Sequence, residues 1–214
     1  MTEKVEFSAL ELDALQETMN IGFGQAAAAL SEVISMHVIL SVPKIAMLAT
    51  EEIPRFVQSE IEDPAAFSMV EQFFLGRFNG TSFLLLPKDE GEKLVKLFDE
   101  NPCSEAPPPD VNFDALERDT IVEIGNIIIG ACVGKIAEML NDVVTYQPPR
   151  YFSGPIGVDL IQRQLQTSGS LALVFKTVFH FDKQDVYGLL FLVTGENSAG
   201  WLRRAVDKLL GGLA

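Results

Sequence analysis

The stretch FSALELDALQETMNIGFGQAAAALSEVISMHVILSVP, residues 7–43, is matched without a gap by FDALERDTIVEIGNIIIGACVGKIAEMLNDVVTYQPP, residues 113–149. The two segments are identical at 12 of 37 positions, among them Phe7/Phe113, Asp13/Asp119, Glu17/Glu123, Asn20/Asn126, Gly24/Gly130 and Pro43/Pro149. Similarity resumes two residues out of step, where GTSFLLLPKDEGEKLVKLF (80–98) lies over GLLFLVTGENSAGWLRRAV (188–206). The chain therefore reads as an internal duplication: two halves, about 7–98 and 113–206, joined by an acidic, Pro-rich connection at about 99–112. A unit this long is not a repeat of the array type. We read residues 1–214 as a single domain with a pseudo-twofold relation between its halves.

Each half opens with an apolar period of 3.6 residues, which predicts helices over about 9–35 and 115–141. Strands are expected around HVILSVP and VVTYQPP. The segment FSMVEQFFLGRFNGTSFLLLP predicts a hairpin turning at Asn79-Gly80, a favoured turn pair. LALVFKTVFHFDKQDVYGLLFLVT predicts a second, turning near 182–185. Each half closes with a strand and an amphipathic helix. Hairpins beside helices give an α+β fold, a largely antiparallel sheet with helices packed on it.

At 100° per residue, Asp13, Glu17, Asn20 and Gly24 fall within about 60° of one another on the first helix. Leu12, Leu15, Met19 and Ala26 form a second stripe far from them, which by geometry is the core side. The Glu-Asn stripe should therefore face solvent. Asp119, Glu123, Asn126 and Gly130 repeat it on the second helix, where Ile121, Ile124, Ile128 and Ala131 predict deeper burial. The pattern alone leaves two readings open. Exposed carboxylates and amides are ordinary on a solvated face, and Asn before Ile-Gly can cap a helix. The apolar period nevertheless runs on past both asparagines, and two identical polar stripes suit a surface that engages one kind of partner twice. Gly24 and Gly130 lower helix stability by about 1 kcal/mol each, a cost tolerated where something must approach closely. For Gly130 we expect that to be tight packing in the core.

The composition narrows the function classes. With 48% apolar and 21% charged residues over 214 positions, the chain is an ordinary globular sequence. A net charge of -14 argues against a nucleic-acid partner, because such affinity comes largely from Lys and Arg displacing counterions. Apolar runs such as SLALVF and GLLFLV are far shorter than the roughly 20 residues that span a bilayer, so no membrane insertion is expected. The acidic start MTEKVEFSALELD lacks a signal pattern, and the cytoplasm is the expected location. Cys103 and Cys132 show no CxxC spacing, and His37 and His180 are too few for a metal cluster. No cofactor or metal bound by this chain is expected.

The pattern Asp-x3-Glu-x2-Asn followed by Pro after 22 residues occurs at 13/17/20/43 and again at 119/123/126/149. It resembles the signatures of the CheC-type chemotaxis phosphatases, the CheC/CheX/FliY family, and the resemblance covers nearly the whole chain. It implies hydrolysis of the aspartyl phosphate of a CheY-like response regulator. The implied catalytic residues are Asn20 and Asn126, whose amides would orient the attacking water, and Glu17 and Glu123, which would pair with the regulator's active-site Lys. Asp13, Asp119, Gly24 and Gly130 would lie at the periphery. Mg²⁺ is expected in the regulator's site, and a CheD-like deamidase is a second implied partner. Phe23, Gln25 and Ile128 depart from the family pattern, which puts equal activity of the two sites in doubt. A non-catalytic module that holds a phosphorylated receiver would need the same helices. A carboxylate-pair hydrolase would instead need two acids in a concave pocket.

Overall fold

The computed structural model describes residues 7–61, 67–87, 89–91, 93–94, 113–155, 161–163, 165, 171–181 and 186–211. The Pro-rich connection, Cys103 and the turn at 182–185 lie outside them. In chain order the elements are α1 (Ala9–Ile34), β1 (Val38–Leu40), β2 (Lys44–Ala49), α2 (Ile53–Ser59), β3 (Phe67–Leu75) and β4 (Gly80–Pro87). The second half supplies α3 (Phe113–Met139), β5 (Thr145–Tyr146), β6 (Arg150–Gly154), β7 (Leu171–Phe181), β8 (Val186–Gly195) and α4 (Glu196–Gly211).

The eight strands form one antiparallel sheet in the order β1-β7-β8-β4-β3-β5, with β2 also pairing β7 and β6 also pairing β3. Exchanging each strand for its duplicate leaves this order unchanged. The pseudo-twofold relation therefore runs between β4 and β8, where Phe83 lies opposite Phe191. Matched pairs flank it: Glu71 opposite Arg150 on one side and Lys176 opposite Lys44 on the other. The duplication extends to the helix ends, for Ser35 and the equivalent Asn141 both adopt the left-handed conformation, with φ of 54° and 52°.

Long helices cover one face of the sheet. Leu15, Met19 and Phe23 of α1, Ile128, Ile129 and Ile136 of α3 and Leu202 and Val206 of α4 pack there against Phe74, Phe175 and Phe179. On the opposite face Ile53 and Val57 of α2 pack with Phe67, Met69, Phe83 and Phe191. β3, β4 and β8 are therefore buried on both faces, which is why β4 and β8 carry unbroken apolar runs rather than alternating ones. The stretch Arg118–Met139 of α3 is long and apolar enough by length and composition to cross a bilayer; half of it is buried inside the fold.

Two local expectations change. Leu12 is 40% exposed, and the neighbouring Glu11 is buried in its place. Glu11 completes a capping box with Ser8 and accepts from Arg203 Nε of α4 at 2.6 Å, so the contact between helix ends is polar. The hairpin turns through residues 76–79, and Gly80 is already in β4. A Cβ at Gly80 would lie 2.1 Å from the Val193 carbonyl oxygen, so close strand packing is what requires glycine there.

Candidate functional site

Ser8 sets the start of α1: its hydroxyl accepts from Glu11 N at 3.2 Å while Glu11 reaches back to the Ser8 amide. From that start, Asp13, Glu17 and Gly24 fall on the exposed side and Asn20 is half-buried, while Leu15, Met19 and Ala26 are fully buried. On α3, Asp119, Glu123 and Asn126 are exposed, and Ile121, Ile124 and Ile128 are buried. Each helix thus carries its Glu and Asn on one outward stripe, one turn apart.

The glycines divide differently from the sequence expectation. Cβ atoms at Gly24 and Gly130 would meet nothing within 4 Å. Gly130 is therefore no core-packing residue; its carbonyl oxygen accepts from the Tyr146 hydroxyl at 3.3 Å, and the space beyond its Cα is open. Burial pushes the Tyr146 phenol up to about 12, with the Cys132 side chain adding to the effect, so it remains a donor. The glycines that serve packing are Gly22, whose Cβ would come within 3.2 Å of Met139 Sδ, and Gly125, whose Cβ would come within 2.9 Å of Val70. Gly125 brings α3 close onto β3 beside the second stripe.

The second stripe has neighbours that motif spacing does not reveal. Gln72 on β3 is 2% exposed, and its Nε2 donates to Asn126 Oδ1 at 2.8 Å and to the Gln147 carbonyl at 3.1 Å. Asp119 lines a cleft of about 480 Å³ together with Arg118, Val122, Pro149, Arg150 and Tyr151. Arg150 lies 3.9 Å from the carboxylate of Glu71. Glu71 is fully buried, and desolvation raises its pKa to about 7 against the opposing charge of Arg150.

The first stripe is built otherwise. Thr177, at the position matching Gln72, donates to the Ser41 carbonyl at 2.7 Å, and Ser41 is the residue matching Gln147. The short hydroxyl thus keeps the strand-to-loop bond but not the bond to the helix. The Asn20 side chain makes no hydrogen bond to any described residue. Gln16, which matches Val122, donates to the Pro43 carbonyl. A sequence signal for Gln72 existed: Glu71 and Gln72 stand side by side in a strand that is otherwise mostly apolar.

A carboxamide both donates and accepts without changing charge, so each stripe can hold a water or an oxyanion in a fixed direction beside a carboxylate. Among the described residues no group of three or more His, Cys, Asp or Glu side chains is placed to hold a metal ion.

Residues 10–47 and 116–153 match the sequence model of the CheC-like family. The chain is 24% identical over 130 residues to the CheY-P phosphatase CheC of Bacillus subtilis, spanning 60% of this chain and 59% of that protein. It is 24% identical over 147 residues to the flagellar motor switch phosphatase FliY of the same organism, spanning 68% of this chain and 36% of that one. Both alignments thus cover less than two thirds of the relatives' own length. The crystal structure of Thermotoga maritima FliY superposes with a TM-score of 0.68 at 16% identity, covering 95% of this chain and 99% of that one. The family match falls once on each half and contains both Glu-Asn stripes, so the likeness to the CheC-like family is carried by the two segments that hold them.

Proposed function

We propose that this protein hydrolyses the aspartyl phosphate of a CheY-like response regulator, using Asn20 and Asn126 to orient the attacking water. Glu17 and Glu123 pair with the regulator's active-site Lys and hold each helix in register. The observation that carries this reading is the same outward Glu-Asn pair, one helical turn apart, on two helices related by the pseudo-twofold. Acyl-phosphate hydrolysis depends mainly on position and electrostatics, so an amide that fixes one water suffices without a nucleophile on this chain. The regulator supplies the reacting Asp, the Lys and the Mg²⁺. Such a partner places the reaction in the cytoplasm.

The bare surroundings of Gly24 and Gly130 support docking along these stripes, because a partner's backbone can reach the helix where no Cβ stands. Asp13 and Asp119 sit one turn before each Glu and serve as peripheral contacts. A CheD-like deamidase is a further partner in this reading, and co-purification with such a protein tests it. For the hydrolysis itself, the decay of a phosphorylated CheY-like regulator is followed with Mg²⁺, alone and with this protein. Faster decay is expected. Tight binding with unchanged or slower decay would support the non-catalytic phospho-receiver module instead.

A further inference from the structure

We infer that Gln72 is a positioning residue for Asn126, and that it makes the second site preorganised where the first is not; this rests on the phosphatase reading. Gln72 is buried on β3, behind the exposed stripe of α3, so it does not itself reach a docked partner. Its Nε2 spends both hydrogens inward, one on Asn126 Oδ1 at 2.8 Å and one on the Gln147 carbonyl at 3.1 Å.

The second of these bonds decides the first. Only an amide nitrogen can sit 3.1 Å from a carbonyl oxygen, because an amide oxygen there would set two acceptors against each other. Gln147 thereby fixes which end of Gln72 is the donor. Gln72 in turn fixes Asn126, which must present its oxygen inward and turn its Nδ2 away from β3. One lone pair of Asn126 Oδ1 remains to accept from a water, and both hydrogens of Nδ2 remain to donate to an oxygen of the phosphoryl group.

Gln72 Oε1 is buried without a hydrogen-bond partner among the described residues. A buried amide with one end unsatisfied is a poor choice for stability alone. The matching position in the other half shows the simpler solution: Thr177 bonds the equivalent loop carbonyl with no orphaned atom of this kind. The amide at position 72 adds one thing that the hydroxyl at 177 does not, the bond to the asparagine. Gly125 permits that reach by seating α3 against Val70.

The test uses the full chain carrying Asn20→Ala, in which only the second site acts on a phosphorylated CheY-like regulator. Adding Gln72→Met, an unbranched apolar side chain of similar length, is expected to lower kcat roughly tenfold to a hundredfold, the scale of a misplaced catalytic group. KM should stay within about twofold. In a chain carrying Asn126→Ala the same substitution should cost nothing more. Equal losses in both backgrounds, or no loss in the first, would overturn the assignment. Should the unaltered protein not accelerate decay at all, the phosphatase reading fails, and NMR relaxation of the side-chain amides still decides the positioning. The Asn126 amide should be more ordered than that of Asn20 and should lose this order in Gln72→Met; an unchanged Asn126 signal would refute the role.

Discussion

The two halves share a backbone plan but differ in what stands behind each asparagine. In the second, the amide of Asn126 is held from the sheet by Gln72; in the first, Thr177 stops at the loop and Asn20 has no such tether among the described residues. Strand order, register and the left-handed helix ends are matched between halves. Side chains one step back from the surface are not. The difference teaches that duplication preserved the places of the polar stripe while leaving its support free to diverge.

The comparison breaks first at the sheet. A Cβ at Gly188 would lie 2.1 Å from Phe179 and 2.8 Å from the Leu85 carbonyl oxygen. Gly188→Ala should destabilise by about 3 kcal/mol or more, seen as a lower midpoint in chemical denaturation, because overpacking against backbone has little room to relax. Gly130→Ala should do the opposite, stabilising by up to about 1 kcal/mol through helix propensity. If the regulator docks closely there, that variant also loses affinity for it.

A second difference is electrostatic. Glu71 and Lys176 hold matched places on the two central β-hairpins. Glu71 has a folded pKa of about 7 against an ordinary value of 4.5. Between these values the unfolded chain gives up its proton while the folded one keeps it. Stability from this group therefore falls as pH rises from about 4.5 to about 7, by at most about 1.4 kcal/mol per pH unit. Glu71→Gln should remove that slope in denaturation midpoints measured across the window. Glu11 acts in the opposite sense. Hydrogen bonds from Arg203 and Ser8 lower its pKa to about 2, so its contribution is complete above about 4.5 and is lost as pH falls toward 2.

Smaller effects sharpen the contrast between the asparagines. Asn126→Ala removes an acceptor from the buried Gln72 and should cost about 1 kcal/mol. Asn20→Ala should cost less than about 0.5 kcal/mol. Equal costs would mean that the tether at Asn126 contributes nothing.

Much of this architecture was legible in the sequence because its signals are local and periodic. The 3.6-residue period gave both long helices to within about two residues, and the repeated Glu-x2-Asn spacing placed both stripes outward. Leu12 departed because the end of α1 meets Arg203, a contact 192 residues away in sequence. Gly130 departed because periodicity reports which side of a helix a residue occupies, not what lies above it. Gln72 stood out as a polar residue in a mostly apolar strand, but its role was hidden for the same reason: its partners, Asn126 and Gln147, join it only through pairing of β3 with β5 and β6 and the packing of α3.

The most direct test of the account is the Mg²⁺-dependent decay of a phosphorylated CheY-like regulator with four chains: unaltered, Asn20→Ala, Asn126→Ala and the double variant. Acceleration is expected from the unaltered chain, with the larger loss in Asn126→Ala and none left in the double variant while its fold is retained. Acceleration that survives in the folded double variant would contradict it.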